Sequence, residues 1–493
     1  MNASSDHLPT ALNANPALFA YLQNLGVPGI YLVGGAVRDL LSGHQIHDYD
    51  FALLSGAVSA ARKTANHFNG AFYILDAERG IARVLLETDA GEPLMIDFAQ
   101  AHGGSLETDL HDRDFTINAM AYDLAAQTLI DPLNGAADLK QGILRACSPE
   151  SFNNDPARLM RAIRLSLYHK LTIEPQTRTW MQTAIPLLPQ ISGERMRDEF
   201  FRVLENGKSA AALRLLQRTG ILPPVLKELF PSPEKKPLTE SKSAAWEYIF
   251  ATLERIDWIL DWVENGAGAQ HQTLSGGILI SQWQPYRSAF RNHLHARINP
   301  LRARRGILLF TAIFIATHCF SSPAERQEEA RSVQTSFQRA AKRLSLSNAE
   351  IDYGRTLFNR YNSLIELLDR QSPPDRREIF RYFDHTGADG IDLCTLSLAI
   401  GWVQGLEQDP DRWSRWIAQC ATLFNGWWNH HDDYVDPPSL ISGEDLIKTL
   451  GMQPGPKVGE ILMQVREAQA AGEITQRSQA LALAKRLAGE NQG

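Results

Sequence analysis

Residues 31–50 read Tyr31-Leu-Val-Gly-Gly-Ala-Val-Arg-Asp-Leu-Leu-Ser-Gly-His-Gln-Ile-His-Asp-Tyr-Asp50. An apolar strand runs into a paired glycine, a short helix follows, and two aspartates close the segment at spacing i, i+2. On a strand that spacing points both side chains to one face, so Asp48 and Asp50 present two carboxylates side by side. Like charges that close repel unless a cation sits between them, and hard oxygen ligands suit Mg²⁺. Gly34 and Gly35 lack a Cβ, so backbone N–H groups can approach a phosphate closely. The N-terminus of the helix that follows favours an anion. A phosphate cradle beside metal-binding carboxylates is the equipment of nucleotidyl transfer.

The bulk numbers are those of a soluble globular protein. The 493 residues suggest about three domains, and 44% hydrophobic with 21% charged residues leaves ample material for a core. Cys147, Cys319, Cys394 and Cys420 are scattered without CxxC spacing and read as buried, reduced thiols of a cytosolic protein rather than zinc ligands. Residues 1–20 lack a basic start followed by an apolar run, so no secretory signal is expected. The longest apolar run, 306–317, is too short to cross a bilayer and reads as a core helix. A net charge of −7 does not advertise a nucleic-acid binder. Residues 265–324, however, contain no Asp or Glu. They carry Arg287, Arg291, Arg297, Arg302, Arg304 and Arg305, with Trp283, Tyr286 and Phe290 nearby. Such a patch is expected to track phosphates and stack bases.

Periodicity divides the chain in two. Strand-like segments at 31–33, 49–53, 71–75, 82–87 and 94–99, with a helix over 57–68, predict a small α/β unit. From about residue 139 the pattern is helical nearly throughout, including 156–169, 177–184, 193–204, 210–219 and 243–262. Linkers are expected at 231–237 and 429–438. His318 reads as a core histidine, and His430-His-Asp-Asp433 as a solvated loop. Trp413, Trp416, Trp427 and Trp428 read as helix packing.

Five blocks occur in order: Gly34-Gly35…Arg38-Asp39…Asp48-Tyr-Asp50; Arg113-Asp-Phe-Thr-Ile-Asn-Ala-Met-Ala121; Asp131-Pro-Leu-Asn-Gly135…Asp138…Gly142-Ile-Leu-Arg145; Asp155-Pro-Ala-Arg158-Leu-Met-Arg161-Ala-Ile-Arg164; and Ile191-Ser-Gly-Glu-Arg-Met-Arg-Asp-Glu199. A further segment, 440–459, follows. On these blocks the chain resembles class II tRNA nucleotidyltransferases (CCA-adding enzymes), a family shared with bacterial poly(A) polymerases. The resemblance implies an α/β head of the DNA polymerase β nucleotidyltransferase type followed by a long all-α neck, body and tail. The divisions would be 1–140 (head), 141–205 (neck), 206–435 (body, RNA-binding) and 436–493 (tail).

The same resemblance implies roles. Asp48 and Asp50 would hold Mg²⁺, with Asp97 as a third catalytic carboxylate. Gly35 and Arg38 would meet the triphosphate. Arg113 and Asp114, which are expected to begin a helix rich in small apolar residues, would handle the ribose and phosphates. Asp131 and Asp138 read as turn and cap residues. Asp155 and Arg158, three apart on one helix face, would read the base. A carboxylate accepts from the amino group and a guanidinium donates to the ring nitrogen, a pattern that cytosine and adenine share and that uracil and guanine lack. Arg161 and Arg164 would extend that face toward phosphates. The implied partners are tRNA, CTP and ATP, in the cytoplasm and without a membrane. Alternatives are a poly(A) polymerase, a CC-only enzyme, a non-catalytic RNA-binding relative and a small-molecule nucleotidyltransferase. Three departures stand out. Asn154 replaces the family's usual Glu, and Asp112 its usual second Arg. The segment between Asp97 and Arg113 is short, where full CCA-adding relatives carry a longer flexible loop associated with the switch from C to A. In that respect the chain resembles enzymes that add only CC.

Overall fold

The computed structural model describes residues 15–44, 46, 48–87, 93–230, 240–300, 302–319 and 326–490. They form two compact units, one of residues 1–199 with 215–225, the other of 200–214 with 226–493. The linker expected at 231–237 lies outside the described residues.

The first unit opens with α1 (Pro16–Gln23), β1 (Ile30–Val33), α2 (Gly35–Leu41), β2 (Asp48–Leu53), α3 (Ala57–His67), β3 (Ala71–Asp76), β4 (Ile81–Glu87) and β5 (Pro93–Gln100). α4 (Leu106–His111), β6 (Ala121–Asp123) and β7 (Thr128–Ile130) follow. The seven strands form one sheet in the order β3-β4-β5-β2-β1-β6-β7. β2 and β5 are parallel, and the other neighbours are antiparallel. Alternation along β2 buries Tyr49 and Phe51, which pack with Leu18, Phe19, Val84, Ile96 and Phe98 in the head core. The same alternation leaves Asp48 and Asp50 on the opposite, solvent-accessible face. Burying such large aromatic and aliphatic groups fixes the register, because a one-residue slip would bring the aspartates inward.

Then come α5 (Gly135–Gln141), β8 (Ile143–Leu144), α6 (Glu150–Asn154), α7 (Arg158–Tyr168), β9 (Thr172–Ile173), α8 (Pro175–Ala184) and α9 (Gly193–Leu204). The neck is therefore not wholly helical, since β8 and β9 pair in parallel. Two further expectations are corrected. The Arg113–Ala121 block is not a helix but an extended segment and one 3₁₀ turn, Thr116–Asn118. Its backbone bonds go to a neighbouring segment instead: Thr116 N–H to Arg145 O and Cys147 N–H to Asp114 O. Asp155 is not on the helix of Arg158. It lies between α6 and α7 with φ −147° and ψ 91°, because a residue before proline is pushed out of the α region and Pro156 follows. α7 ends where Lys170 takes φ +55°.

In the second unit the apolar run lies within Arg304–Cys319, buried from Ile307 to Ala316, as expected of a core helix. Among the described residues no helix is long and apolar enough to cross a membrane. Trp413 and Trp416 are buried, and Trp427 and Trp428 pack on Phe383 and Phe424, so the tryptophans serve packing. The 430–433 run is not an open loop. It enters a π-helical turn, His431–Val435, with His430 stacked on Tyr434. Cys394 and Cys420 are buried and Cys147 half-buried, all three unlinked. Three helices, Gly443–Leu450, Pro456–Ala470 and Arg477–Glu490, close a cluster around Leu446, Ile461 and Ala480.

Asp131 accepts the N–H groups of Gly135 and Ala136, the turn-and-cap role expected of it, whereas Asp138 lies inside α5 and instead binds the Thr116 hydroxyl and the Arg145 guanidinium. At Gly135 a Cβ would lie 2.0 Å from Thr116 O and 2.7 Å from Thr116 C, and backbone cannot yield as a side chain can. Gly135→Ala is expected to destabilise the first unit by about 2–3 kcal/mol or more, as overpacking does. Urea unfolding followed by circular dichroism checks this, and an unchanged midpoint refutes it.

Candidate active site

The parallel register of β2 and β5 sets Asp50 directly opposite Asp97. Asp97 is held by Arg83 from β4 through two 2.8 Å hydrogen bonds in fork geometry. Asp50 is open to solvent yet set in a concavity with protein on most sides. That desolvation, then Asp97 and Asp48, push its carboxyl above the usual range, against the opposing pull of Arg113 and Arg161. Asp48, Asp50 and Asp97 thus share one strand-end cluster, and its crowding of negative charge is what a divalent cation relieves. The residues fit the oxygen-rich site expected for Mg²⁺.

Gly34 takes φ +72°, and a Cβ there would lie 2.8 Å from Nη1 of Arg113 and 3.8 Å from Oδ2 of Asp50. The glycine therefore admits a guanidinium beside the carboxylates, a role that the sequence did not reveal. Arg113 is steadied by Asp109 at 2.9 Å. Arg38 differs from its expected role. It is buried, donates to Asp39 at 2.9 and 3.0 Å and to Asn118 Oδ1 at 2.5 Å, and lies against Gly35. Its guanidinium forms the floor of the cradle rather than an open triphosphate contact. Asn118 passes the connection on, donating to Asp114 at 3.0 Å.

Asp114 is buried, accepts the Phe115 N–H and pairs with Arg161. Burial opposes its ionisation, but Arg161, Asn118, Arg158 and the Phe115 N–H together hold its carboxyl below the usual range. Arg161 is thereby a half-buried cation between Asp114 and Asp50, with Glu199 also near. Arg164 faces Glu199 at 3.9 Å.

A cleft of about 280 Å³ joins Arg113, Asp114, Asp155, Arg158, Arg161 and Arg195. Asp155 and Arg158 meet there as expected, although their ion pair is long, at 4.0 Å. The close partner of Asp155 is Arg195, at 2.8 Å. Sequence reading placed Arg195 in a family block without a role; its position three residues after Ser192 at the start of α9 was the only signal. Arg158 donates to Ser151 O and Asp112 O, which fixes its fork. A second cleft of about 960 Å³ shares Arg113 and Arg158 and adds Arg79, Gln100, His102 and Asn154. Burial, then Asp114, push the nearby Cys147 thiol up to about 12, so it is inert at neutral pH.

The basic stretch in the second unit is corrected. Arg302 is buried against Glu350, and Arg304 pairs with Asp389 and Asp392. Arg287 caps the carbonyls of Trp262 and Glu264, while Arg291 pairs with Glu264 and Arg305 faces it at 4.0 Å. Arg291 and Arg297 are exposed. The carboxylates come from before and after the acid-free stretch, so most of these guanidiniums hold helices together.

The raised Asp50 carboxyl has a measurable sign. A raised folded-state value means that the protonated form is favoured on folding. This contribution is present below the unfolded value and lost as pH rises through the folded one. Asp50→Asn is therefore expected to raise the melting temperature at pH 7 in chelator by about 1–2 °C, the shift made by a few tenths of a kcal/mol, and to abolish nucleotide transfer. A lowered melting temperature overturns the electrostatic account.

Comparison with known proteins agrees with this geometry. The Poly A polymerase head domain matches residues 30–145. The "Probable RNA and SrmB- binding site of polymerase A" matches residues 170–232, and the "tRNA nucleotidyltransferase domain 2" matches residues 430–484. The chain is 31% identical to the A-adding tRNA nucleotidyltransferase of Deinococcus radiodurans over 94% of this chain and 97% of the relative. It is 29% identical to the CC-adding tRNA nucleotidyltransferase of Geobacter sulfurreducens, over 94% and 93%. A CCA-adding enzyme solved with CTP shares the fold, with a TM-score of 0.60 at 22% identity over 97% of both chains. With its strand-end carboxylates, its basic cleft and end-to-end similarity to such relatives, the chain belongs to the class II tRNA nucleotidyltransferase family.

Proposed function

We propose that this protein adds cytidylate, and not adenylate, to the 3′ end of tRNA, taking CTP and releasing pyrophosphate in the cytoplasm. The observation that carries the restriction to C is the segment between Asp97 and Arg113. It is short and fully occupied by ordered structure: β5 to Gln100, a 3₁₀ turn His102–Gly104, and α4. Ser105 caps α4 through the Thr108 N–H, and His102 pairs with Asp112 at 2.5 Å. A segment tied down this way has no slack to remodel the base pocket from C to A. The two CC-adding relatives of Geobacter and Synechocystis, 29% and 28% identical over nearly the whole chain, support the reading.

In this proposal the head, neck, body and tail divide at residues 140, 205 and 435. Asp48 and Asp50 hold Mg²⁺, flanked by Asp97; bound there, the ion would lower the pKa of the attacking 3′-hydroxyl and offset charge on the triphosphate. The 3′-oxygen bonds to the α-phosphorus as the bond to pyrophosphate breaks. Gly34 and Gly35 let the backbone approach the phosphates, and Arg113 faces them. Asp155 accepts from the cytosine amino group while Arg158 donates to its ring nitrogen and carbonyl. Uracil would set a carbonyl against the carboxylate, a mismatch of about 1–3 kcal/mol per bidentate pair. Arg195 aims the Asp155 carboxylate.

The test is product length on tRNA lacking its 3′ end, with Mg²⁺ and one triphosphate at a time. Two added C residues with CTP, and none with ATP on tRNA ending in CC, are expected. Addition of A would instead bring the chain alongside the Deinococcus relative. Removing the ion pair by Arg195→Ala is expected to raise UMP misincorporation about tenfold relative to CMP, on the scale of one lost pairing. Unchanged selectivity would remove Arg195 from base reading.

A further inference from the structure

Behind the nucleotide cradle, away from the strand-end carboxylates, lies a second cluster that the transfer reaction does not use. Asp39 is on α2, His44 follows that helix, and His169 is the residue that ends α7. One ligand atom from each lies within 4.8 Å of the other two. The His169 side chain is only 3% exposed, its Nε2 stands 3.8 Å from Asp39 Oδ1, and neither ring nitrogen has a hydrogen-bond partner among the described residues. A buried imidazole with both nitrogens unsatisfied costs the desolvation of an N–H and a lone pair, and such orphans call for a ligand or a function. The gap of 3.8 Å is too long for a hydrogen bond. It is near the ~3.4 Å separation of two donors on one tetrahedral ion with bonds of about 2.0–2.1 Å.

We infer that Asp39, His44 and His169 form a Zn²⁺ site that ties the cradle helix α2 to the end of the base-reading helix α7. Two imidazoles and one carboxylate are a borderline donor set that suits Zn²⁺ and not Mg²⁺, which takes oxygen. Water completes the fourth position on the side of the exposed His44. Arg38 occupies one lone pair on each Asp39 oxygen, and a carboxylate offers about four, so the pair and the ion coexist. The arrangement follows the general rule that a ligand's second partner fixes its orientation. Arg164 is balanced by Glu199, and Arg38 shares Asp39 with the ion. Burial, followed by Arg38, His44 and Arg164, lowers His169 to about 3, so its ring is neutral and its lone pair available at pH 7. The unit would then hold two divalent sites of different chemistry, one catalytic and hard, the other a clasp.

The full-length chain, stripped with chelator, is titrated with Zn²⁺ against a chromophoric chelator in excess Mg²⁺, and its thermal unfolding is recorded with and without Zn²⁺. One equivalent bound, and a melting temperature raised by Zn²⁺ but not by Mg²⁺, are expected. In His44→Ala and in His169→Gln the affinity should fall by at least about tenfold and the thermal shift should vanish. His44 is exposed, so its variant keeps the fold and decides the matter even if His169→Gln does not. No zinc uptake by the wild type, or equal uptake by His44→Ala, overturns the site.

Discussion

The pairing of β2 with β5 is the constraint on which the rest is built. It brings Asp50 level with Asp97, two residues from Asp48, in a fold that gains nothing from such crowding. The chain tolerates it because the same strands bury Tyr49, Phe51, Ile96 and Phe98 on their other face, where apolar area removed from water outweighs charge repulsion at a solvent-accessible edge. Guanidiniums then divide the negative charge. Arg83 takes Asp97 outright, while Arg113 and Arg161 temper Asp50 without pairing with it closely. What is left is a surplus of negative charge at one point, and a divalent cation is the natural complement to it.

From that point a connected polar path runs through the first unit. Arg161 lies between Asp50 and Asp114, Asp114 accepts from Asn118, and Asn118 accepts from Arg38. Arg38 in turn holds Asp39 at the far side of the cradle helix. Arg38, Asn118 and Asp114 are each held by hydrogen bonds along this path, and a satisfied buried network rigidifies a core rather than weakening it. A site that selects bases with side chains alone, as proposed above, needs this rigidity. Hydrogen-bond discrimination requires that the wrong base meet an acceptor that cannot turn away.

The parts legible in the sequence were those governed by local rules. The strand pattern gave five of the seven strands of the head sheet, β6 and β7 being only three residues long, and the i, i+2 spacing gave the shared face of Asp48 and Asp50, because both follow from backbone geometry within a few residues. The misreadings arose where distant chain decided the outcome. Arg113–Ala121 carries a helical pattern of small apolar residues, yet its backbone pairs with residues 145–147. Asp155 and Arg158 were rightly brought together, but on a false helix, since the restriction imposed by Pro156 was outweighed by the i, i+3 spacing. Arg195 was invisible as a partner because nothing local links it to Asp155, 40 residues earlier.

The basic stretch of the second unit carries the same lesson in electrostatic form. Along the chain, residues 265–324 form a segment without acids and read as a surface for phosphates. Charge is balanced in space, and Glu264, Glu350, Asp389 and Asp392 arrive from outside the segment to meet Arg291, Arg302 and Arg304. Asp392 is wholly buried and is held below its usual range. Burial itself opposes this, but His293 and Arg304 win by direct contact. Removing one partner of such a pair leaves an uncompensated charge in the core, whereas an exposed arginine can be lost at little cost. An arginine-rich run therefore points to RNA only after its acidic neighbours in the fold are known. In the reading proposed above, the guanidiniums close to nucleotide chemistry are those of the cleft, among them Arg113, Arg158 and Arg195, where the acids beside them orient the donors without burying them.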